Sequence, residues 1–119
     1  MPTGTPRPGI PVRGSTTGRP IMALFDLIGR RWVLRVLWEL DQAPTPLTFR
    51  ELRTACGDLS SSVLTRRLAE LVEARLIEHA DGYRLTSAGR ALVERLAPLT
   101  QWADEWQTTM AESAPQAGR

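Results

Sequence analysis

The stretch from Phe49 to Ala74, F-R-E-L-R-T-A-C-G-D-L-S-S-S-V-L-T-R-R-L-A-E-L-V-E-A, constrains this chain more than any other. It reads as a short helix, a tight turn and a longer helix. Thr48 offers an N-cap for the first helix, with Glu51 three residues on as its capping-box partner. Leu52 and Ala55 give that helix an inward face. Cys56-Gly57-Asp58 breaks the pattern, and Gly57 tolerates a positive φ. Ser60 stands where the second helix needs an N-cap, because its hydroxyl accepts from free N–H groups. Val63, Leu64, Leu68, Leu71 and Val72 then recur at helical spacing as one apolar stripe. The opposite face carries Ser61, Ser62, Thr65, Arg66 and, further round, Arg67. Small hydroxyl residues let a helix approach a DNA major groove, and arginines reach base edges or phosphates. The plainer alternative is a helical hairpin with a solvated polar face.

The segment after the helical hairpin narrows the choice. Leu76-Ile77-Glu78-His79-Ala80 reads as a short strand, Asp81-Gly82 as a two-residue hairpin turn, and Tyr83-Arg84-Leu85-Thr86 as the returning strand. A β-hairpin directly after a recognition helix is the wing of a winged helix. Arg84 is its only basic residue, placed either to meet a phosphate or simply to be solvated. The spacing therefore predicts a mainly α fold with a small β-hairpin, a winged helix-turn-helix.

Before the helical hairpin, Pro20 opens a helix with Leu24, Phe25, Leu27 and Ile28 on a broad apolar face, and Gly29 ends it. A second helix runs from about Arg30 to Asp41, with Val33, Val36, Leu37 and Leu40 inward and Trp32 at the joint. Arg31 and Arg35 fall one turn apart on its outer face, where a phosphate could bridge them. Ala43-Pro44-Thr45-Pro46 is a stiff connector. After the wing, Thr86 or Ser87 caps a helix with Leu92, Val93 and Leu96 inward. Pro98 starts a last helix, in which Leu99, Trp102, Trp106 and Met110 line one side. Little chain remains to cover that surface, so it is expected to be a dimer contact, with Leu24 and Phe25 of the first helix as its partner surface.

Residues 1–19 are rich in Pro and Gly and carry Arg7, Arg13 and Arg19 with no acid. They lack the apolar residues to fold alone and are expected to be a flexible basic arm, either lying along DNA or a disordered leader. Residues 20–111 form the DNA-binding and dimerisation domain, and 112–119 a polar tail. In a chain of 119 residues that is one core, not two.

Composition excludes several classes. Net charge is only +2, but all 15 basic residues are arginine, which forks onto phosphate and guanine. One cysteine permits no internal disulfide and fits a reducing cytoplasm. No apolar run approaches a membrane span. A single His and a single Cys cannot build a clustered metal site, so no cofactor is expected. No nucleophile–base pairing suggests an enzyme.

With its order laid out, the chain resembles the HxlR-type branch of winged helix-turn-helix regulators from Pro20 to about Trp106. P-I-M-A-L-F-D-L-I-G-R-R-W is similar to the family's first signature (Asp26, Leu27, Ile28, Gly29, Arg31, Trp32). L-T-F-R-E-L-R looks like its lead-in to the helix-turn-helix. L-S-S-S-V-L-T-R-R-L-A-E-L-V-E-A-R-L-I-E looks like its recognition helix and approach to the wing. Y-R-L-T-S-A-G-R-A-L resembles its wing exit and following helix. The resemblance implies a dimeric bacterial transcription regulator whose dimer is built from terminal helices. Two departures stand out. Arg19 occupies the place before Pro20 where many members carry a sensing cysteine, and Cys56 in the turn reads as a small buried residue. The wing is also shorter than in many members.

The reading is a homodimer that presents two copies of the 60–74 helix to a pseudo-palindromic operator in double-stranded DNA. Ser61, Ser62, Thr65 and Arg66 are the candidates for base or near-base contacts. Arg31, Arg50, Arg67 and Arg84 are the candidates for phosphates, with an ion pair to Glu70 or Glu73 as the alternative for Arg67. Leu24, Phe25, Leu99, Trp102, Trp106 and Met110 are the dimer candidates. A small apolar or aromatic effector could bind among Trp32, Trp38, Trp102 and Trp106. A winged helix that binds protein instead of DNA is the rival reading, kept open by Asp58, Glu70 and Glu73.

Overall fold

A computed structural model describes residues 4–12 and 18–113. Among these residues six helices and one β-hairpin run in the order α1 (Pro20–Ile28), α2 (Val33–Gln42), α3 (Phe49–Ala55), α4 (Ser61–Glu73), β1 (Ile77–His79), β2 (Tyr83–Leu85), α5 (Ser87–Leu96) and α6 (Pro98–Ser113).

The helix starts are written locally. Thr48 and Glu51 form a reciprocal capping box on α3, Ser60 accepts from the Val63 N–H on α4, and Thr86 accepts from the Gly89 N–H on α5. The start of α2 differs from the sequence expectation. It begins at Val33 and not near Arg30, because Trp32 sits in the left-handed region at φ 75°. A bulky residue adopts that conformation only when its surroundings hold it there, and the Trp32 side chain is packed against the core. Arg31 consequently lies in the α1–α2 turn, outside the helix that carries Arg35.

Val33, Val36, Leu37 and Leu40 of α2 form the centre of the core. Leu52 of α3, Leu64, Leu68 and Leu71 of α4, Ile77 and Leu85 of the β-hairpin, and Val93 of α5 close around them. Val72, read from the sequence as part of the inward stripe of α4, is instead 40% exposed on its flank. Cys56 is buried in the turn after α3.

The wing is built differently from a two-residue hairpin. Its register pairs Ile77 with Leu85, Glu78 with Arg84 and His79 with Tyr83, leaving Ala80-Asp81-Gly82 as a three-residue loop. Ala80 cannot pair with Tyr83, because the Tyr83 N–H and carbonyl are both bonded to Leu47, at 2.7 and 3.0 Å. The Ala80 N–H bonds instead to the Gly82 carbonyl. Asp81 and Gly82 still supply positive φ values, 53° and 104°. Leu47 thus adds an isolated bridge beside β2 and ties the wing to the segment leading into α3.

The described part of the N-terminal segment lies on the body. Thr5, Pro6 and Val12 are buried, and the Gly4 carbonyl accepts from Arg30 at 3.2 Å. The sequence suggests a flexible arm, along DNA or as a disordered leader; in the structure these residues lie against the domain's own helices. Arg13 lies outside the described residues.

Candidate nucleic-acid interface

With Leu64, Leu68 and Leu71 buried, the other side of α4 is turned outward. Ser61, Ser62, Thr65 and Arg66 are all exposed there, as the sequence reading has them. Ser62, Arg66, Ala69 and Glu73 fall at helical spacing in one exposed row. The Ser60 hydroxyl stands 3.0 Å from that of Ser62, so the helix opens on small polar groups. An open cavity of about 530 Å³ separates the α1–α2 turn from the start of α4, with Arg31, Ser60 and Arg66 on its walls and Asp58 as its acid. Arg50, on the first turn of α3, is exposed as well. Arg31, Arg50 and Arg66 have no hydrogen bond or ion pair with another described residue, so their guanidinium groups are open to an incoming anion.

Three other arginines that the sequence reading set on phosphates are already engaged. Arg67, expected at a phosphate, is instead only 13% exposed and ion-paired with Glu70. Glu70 also takes Arg30 at 2.6 Å, which joins the α1–α2 turn to α4. The Arg67 Nε is buried without a hydrogen-bond partner, so this side chain belongs to the packing between elements. Arg35 is held by Glu39 at 2.8 Å and by the Ala55 carbonyl at 2.9 Å, and so makes no phosphate clamp with Arg31. Arg84 pairs across the β-hairpin with Glu78 at 2.6 Å but stays 53% exposed. An ion pair that exposed contributes little, so Arg84 is free to exchange its partner for a phosphate. Arg30 and Leu47 were invisible as structural residues in the sequence. Their partners lie 40 and 36 positions away, and no local pattern marks them.

Burial pushes the Cys56 thiol up, partly offset by the Arg35 charge. A neutral buried thiol is a poor nucleophile, which fits a packing role. Among the described residues no group of three or more His, Cys, Asp or Glu is placed to hold a metal ion, and no helix is long and apolar enough to cross a membrane.

The apolar candidates separate into two kinds. Phe25, Leu99, Trp102, Trp106 and Met110 are each more than half exposed. Leu24 is half-buried in a cleft under Pro6 and Pro8, and so contributes less to an outer surface than the sequence suggests. Within one chain the tryptophans do not converge. Trp32 packs on the core, Trp38 is exposed on α2, and Trp102 and Trp106 stack on α6 with ring centroids 5.4 Å apart.

Residues 27–111 match the family described as HxlR-like helix-turn-helix. The chain belongs to this family. It is 33% identical over 89 residues to the HTH-type transcriptional regulator YvaP of Bacillus subtilis, covering 68% of this chain and 81% of that relative. A possible HxlR family transcription factor from Thermoplasma volcanium superposes with a TM-score of 0.65 at 26% identity, over 71% of this chain and 82% of that one. The quinone-bound YodB of B. subtilis superposes with a TM-score of 0.64 at 29% identity, over 71% of this chain and 96% of that one. This HxlR-like chain is a DNA-binding transcriptional regulator with a winged helix-turn-helix fold.

Proposed function

We propose that the protein acts as a homodimer, setting two copies of α4 into successive major grooves of a pseudo-palindromic operator, with half-sites about one helical turn apart or a multiple of it. The observation that carries this reading is the open face of α4. Ser61, Ser62, Thr65 and Arg66 are exposed together, with the unpaired Arg31 across the same cavity from Arg66 and Arg50 exposed on the first turn of α3. Arg66 reads a base edge, Arg31 and Arg50 grip phosphates on either side, and Arg84 of the wing adds a weaker phosphate contact. Such a protein works in the cytoplasm, needs no cofactor and catalyses no reaction.

Dimerisation runs through α6 and the exposed part of α1, where Phe25, Leu99, Trp102, Trp106 and Met110 offer apolar surface that one chain leaves uncovered. A planar apolar effector fits this reading, supported by the quinone held by the YodB neighbour. A cleft of about 260 Å³ between the N-terminal segment, α1 and α5, lined by Pro6, Leu24, Leu27, Leu76 and Leu92, is the place in this chain where such a molecule would lodge.

The test is binding to the DNA just upstream of the protein's own gene, with mixed-sequence duplex as competitor, at several salt concentrations. Competition-resistant binding with a steep salt slope is expected. Absence of binding at low salt would sink this reading and leave a protein-binding winged helix in its place.

A further inference from the structure

Helix α1 stands apart from the main core. That core draws on α2, α3, α4, the wing and α5, and among the described residues it includes none of α1. The buried residues of α1 are Ala23 and Leu27, and they line a separate cleft of about 260 Å³ shared with Ala74, Leu76 and Leu92. A seat with open space holds a helix loosely, because its lining lacks packing partners on one side. A chain of charges makes a second tie. Asp26 of α1 stands 4.0 Å from the Arg30 guanidinium, one turn on. Arg30 donates to one oxygen of the Glu70 carboxylate on α4 at 2.6 Å. The other Glu70 oxygen takes Arg67 of the same helix. The four charges alternate in sign and all four side chains are mostly buried, so salt screens their attraction less than that of a surface pair.

We infer that Arg30 is a positioning residue that sets the half-site spacing the dimer reads. It acts through Glu70, by fixing the angle between α1 and α4, and touches no DNA itself. This rests on the proposed function, in which α1 carries part of the dimer contact and α4 enters the groove. In that arrangement the α6 stripe of the second copy rests on α1, so the separation of the two α4 copies follows the tilt of each α1 against its own α4. Leu64, Leu68 and Leu71 lock α4 into the core, which leaves α1 as the element free to tilt. Arg30 sits in the turn after α1 and spans the two helices, its planar fork shared between Asp26 and Glu70. Its removal leaves the Arg67–Glu70 pair in place, so Glu70 is not stranded as a lone buried charge and the fold survives the test.

The experiment uses the full chain with Arg30→Gln and Arg30→Lys. The duplexes carry two half-sites at the native spacing, one base pair closer or one base pair further apart, or a single half-site. Arg30→Gln should lower affinity at the native spacing about five- to twentyfold, part of the gain that two linked half-sites supply. The shifted duplexes and the single half-site should stay within about twofold, so that the spacing preference flattens. Arg30→Lys restores a charge opposite Glu70 and should recover most of the preference. A spin label on Ala69→Cys, exposed on α4 while Cys56 is buried, reads the distance between copies without DNA. Arg30→Gln should broaden that distance distribution. An equal loss on single and double half-sites, with a salt slope lower by about one, would place Arg30 on a phosphate and overturn the inference. A broadened distance with an unchanged spacing preference, or an unchanged distance, would overturn it alone. No spin–spin coupling in the unaltered chain, or no binding to any duplex, would instead bring down the dimer or the DNA reading, and the inference with it.

Discussion

Gly89 carries a constraint that no other residue type meets. A Cβ at this position would stand 2.0 Å from the Leu76 carbonyl oxygen and 3.3 Å from a Leu85 methyl. The obstacle is backbone, which cannot swing aside, so α5 packs against the approach to the wing only because residue 89 has no side chain. Gly89→Ala should cost about 1–3 kcal/mol, the usual range for overpacking a well-filled interior. Urea unfolding should show a lower midpoint at unchanged slope, and a midpoint equal to wild type would disprove the close approach. Arg66 and Arg67, adjacent in sequence, separate in the same way by surroundings. Arg66→Ala removes an exposed guanidinium and should leave stability within about 0.5 kcal/mol, while costing about 1–3 kcal/mol of operator affinity with relaxed preference at one base pair. Arg67→Ala breaks a mostly buried ion pair with Glu70 and should cost about 1–3 kcal/mol of stability. Paired unfolding and DNA-titration curves for the two variants check this. Equal effects of both on DNA, with stability untouched, would show that Arg67 points outward in solution.

At the level of elements, the parts legible in the sequence are those set by neighbours along the chain. The Thr48–Glu51 box is closed in both directions, with the Thr48 N–H on Glu51 at 2.9 Å and the Glu51 N–H on Thr48 at 3.1 Å. Thr48→Ala should therefore destabilise the domain by about 0.5–2 kcal/mol, read from thermal or denaturant unfolding. No change would mean that α3 is held by Leu52 packing alone. Ser60 and Thr86 were legible for the same reason, and so was the open face of α4, because a 3.6-residue period fixes which side is outward once the leucines are buried. The features hidden from the sequence depend on distant partners. The wing loop has three residues because Leu47 occupies the backbone groups of Tyr83 that a two-residue turn would use. Trp32 is left-handed because the core holds its ring, and this moves Arg31 off the helix. Arg67 faces Glu70, an alternative the sequence did contain, but the Arg30 that completes the triad comes from 40 residues away. The N-terminal segment has too few apolar residues to fold alone, and its seating on the body arises from surfaces that exist only after the helices have packed.

For the molecule as a whole, α6 poses the remaining question of stability. From Pro98 to Glu112 every residue is exposed, and its tryptophans stack only on each other. A helix of 16 residues is marginal in water when nothing packs on it. Leu99, Trp102, Trp106 and Met110 succeed one another by three or four residues along one side, and Ile21 and Phe25 of α1 are also bare. A two-fold axis would let these patches cover one another, since an isologous contact uses the same surface twice. Trp106→Asp puts a charge into that contact and leaves the core of one chain untouched. It should give a folded monomer by sedimentation, with the helical signal of α6 reduced. Operator affinity should fall by about 10²–10⁴, because the second half-site is then no longer bound intramolecularly. The loss should shrink on an isolated half-site, where one recognition helix acts alone in both proteins. If Trp106→Asp stays dimeric, the exposed stripe of α6 is not the contact, and the two-grooved reading would need another surface to hold its copies together.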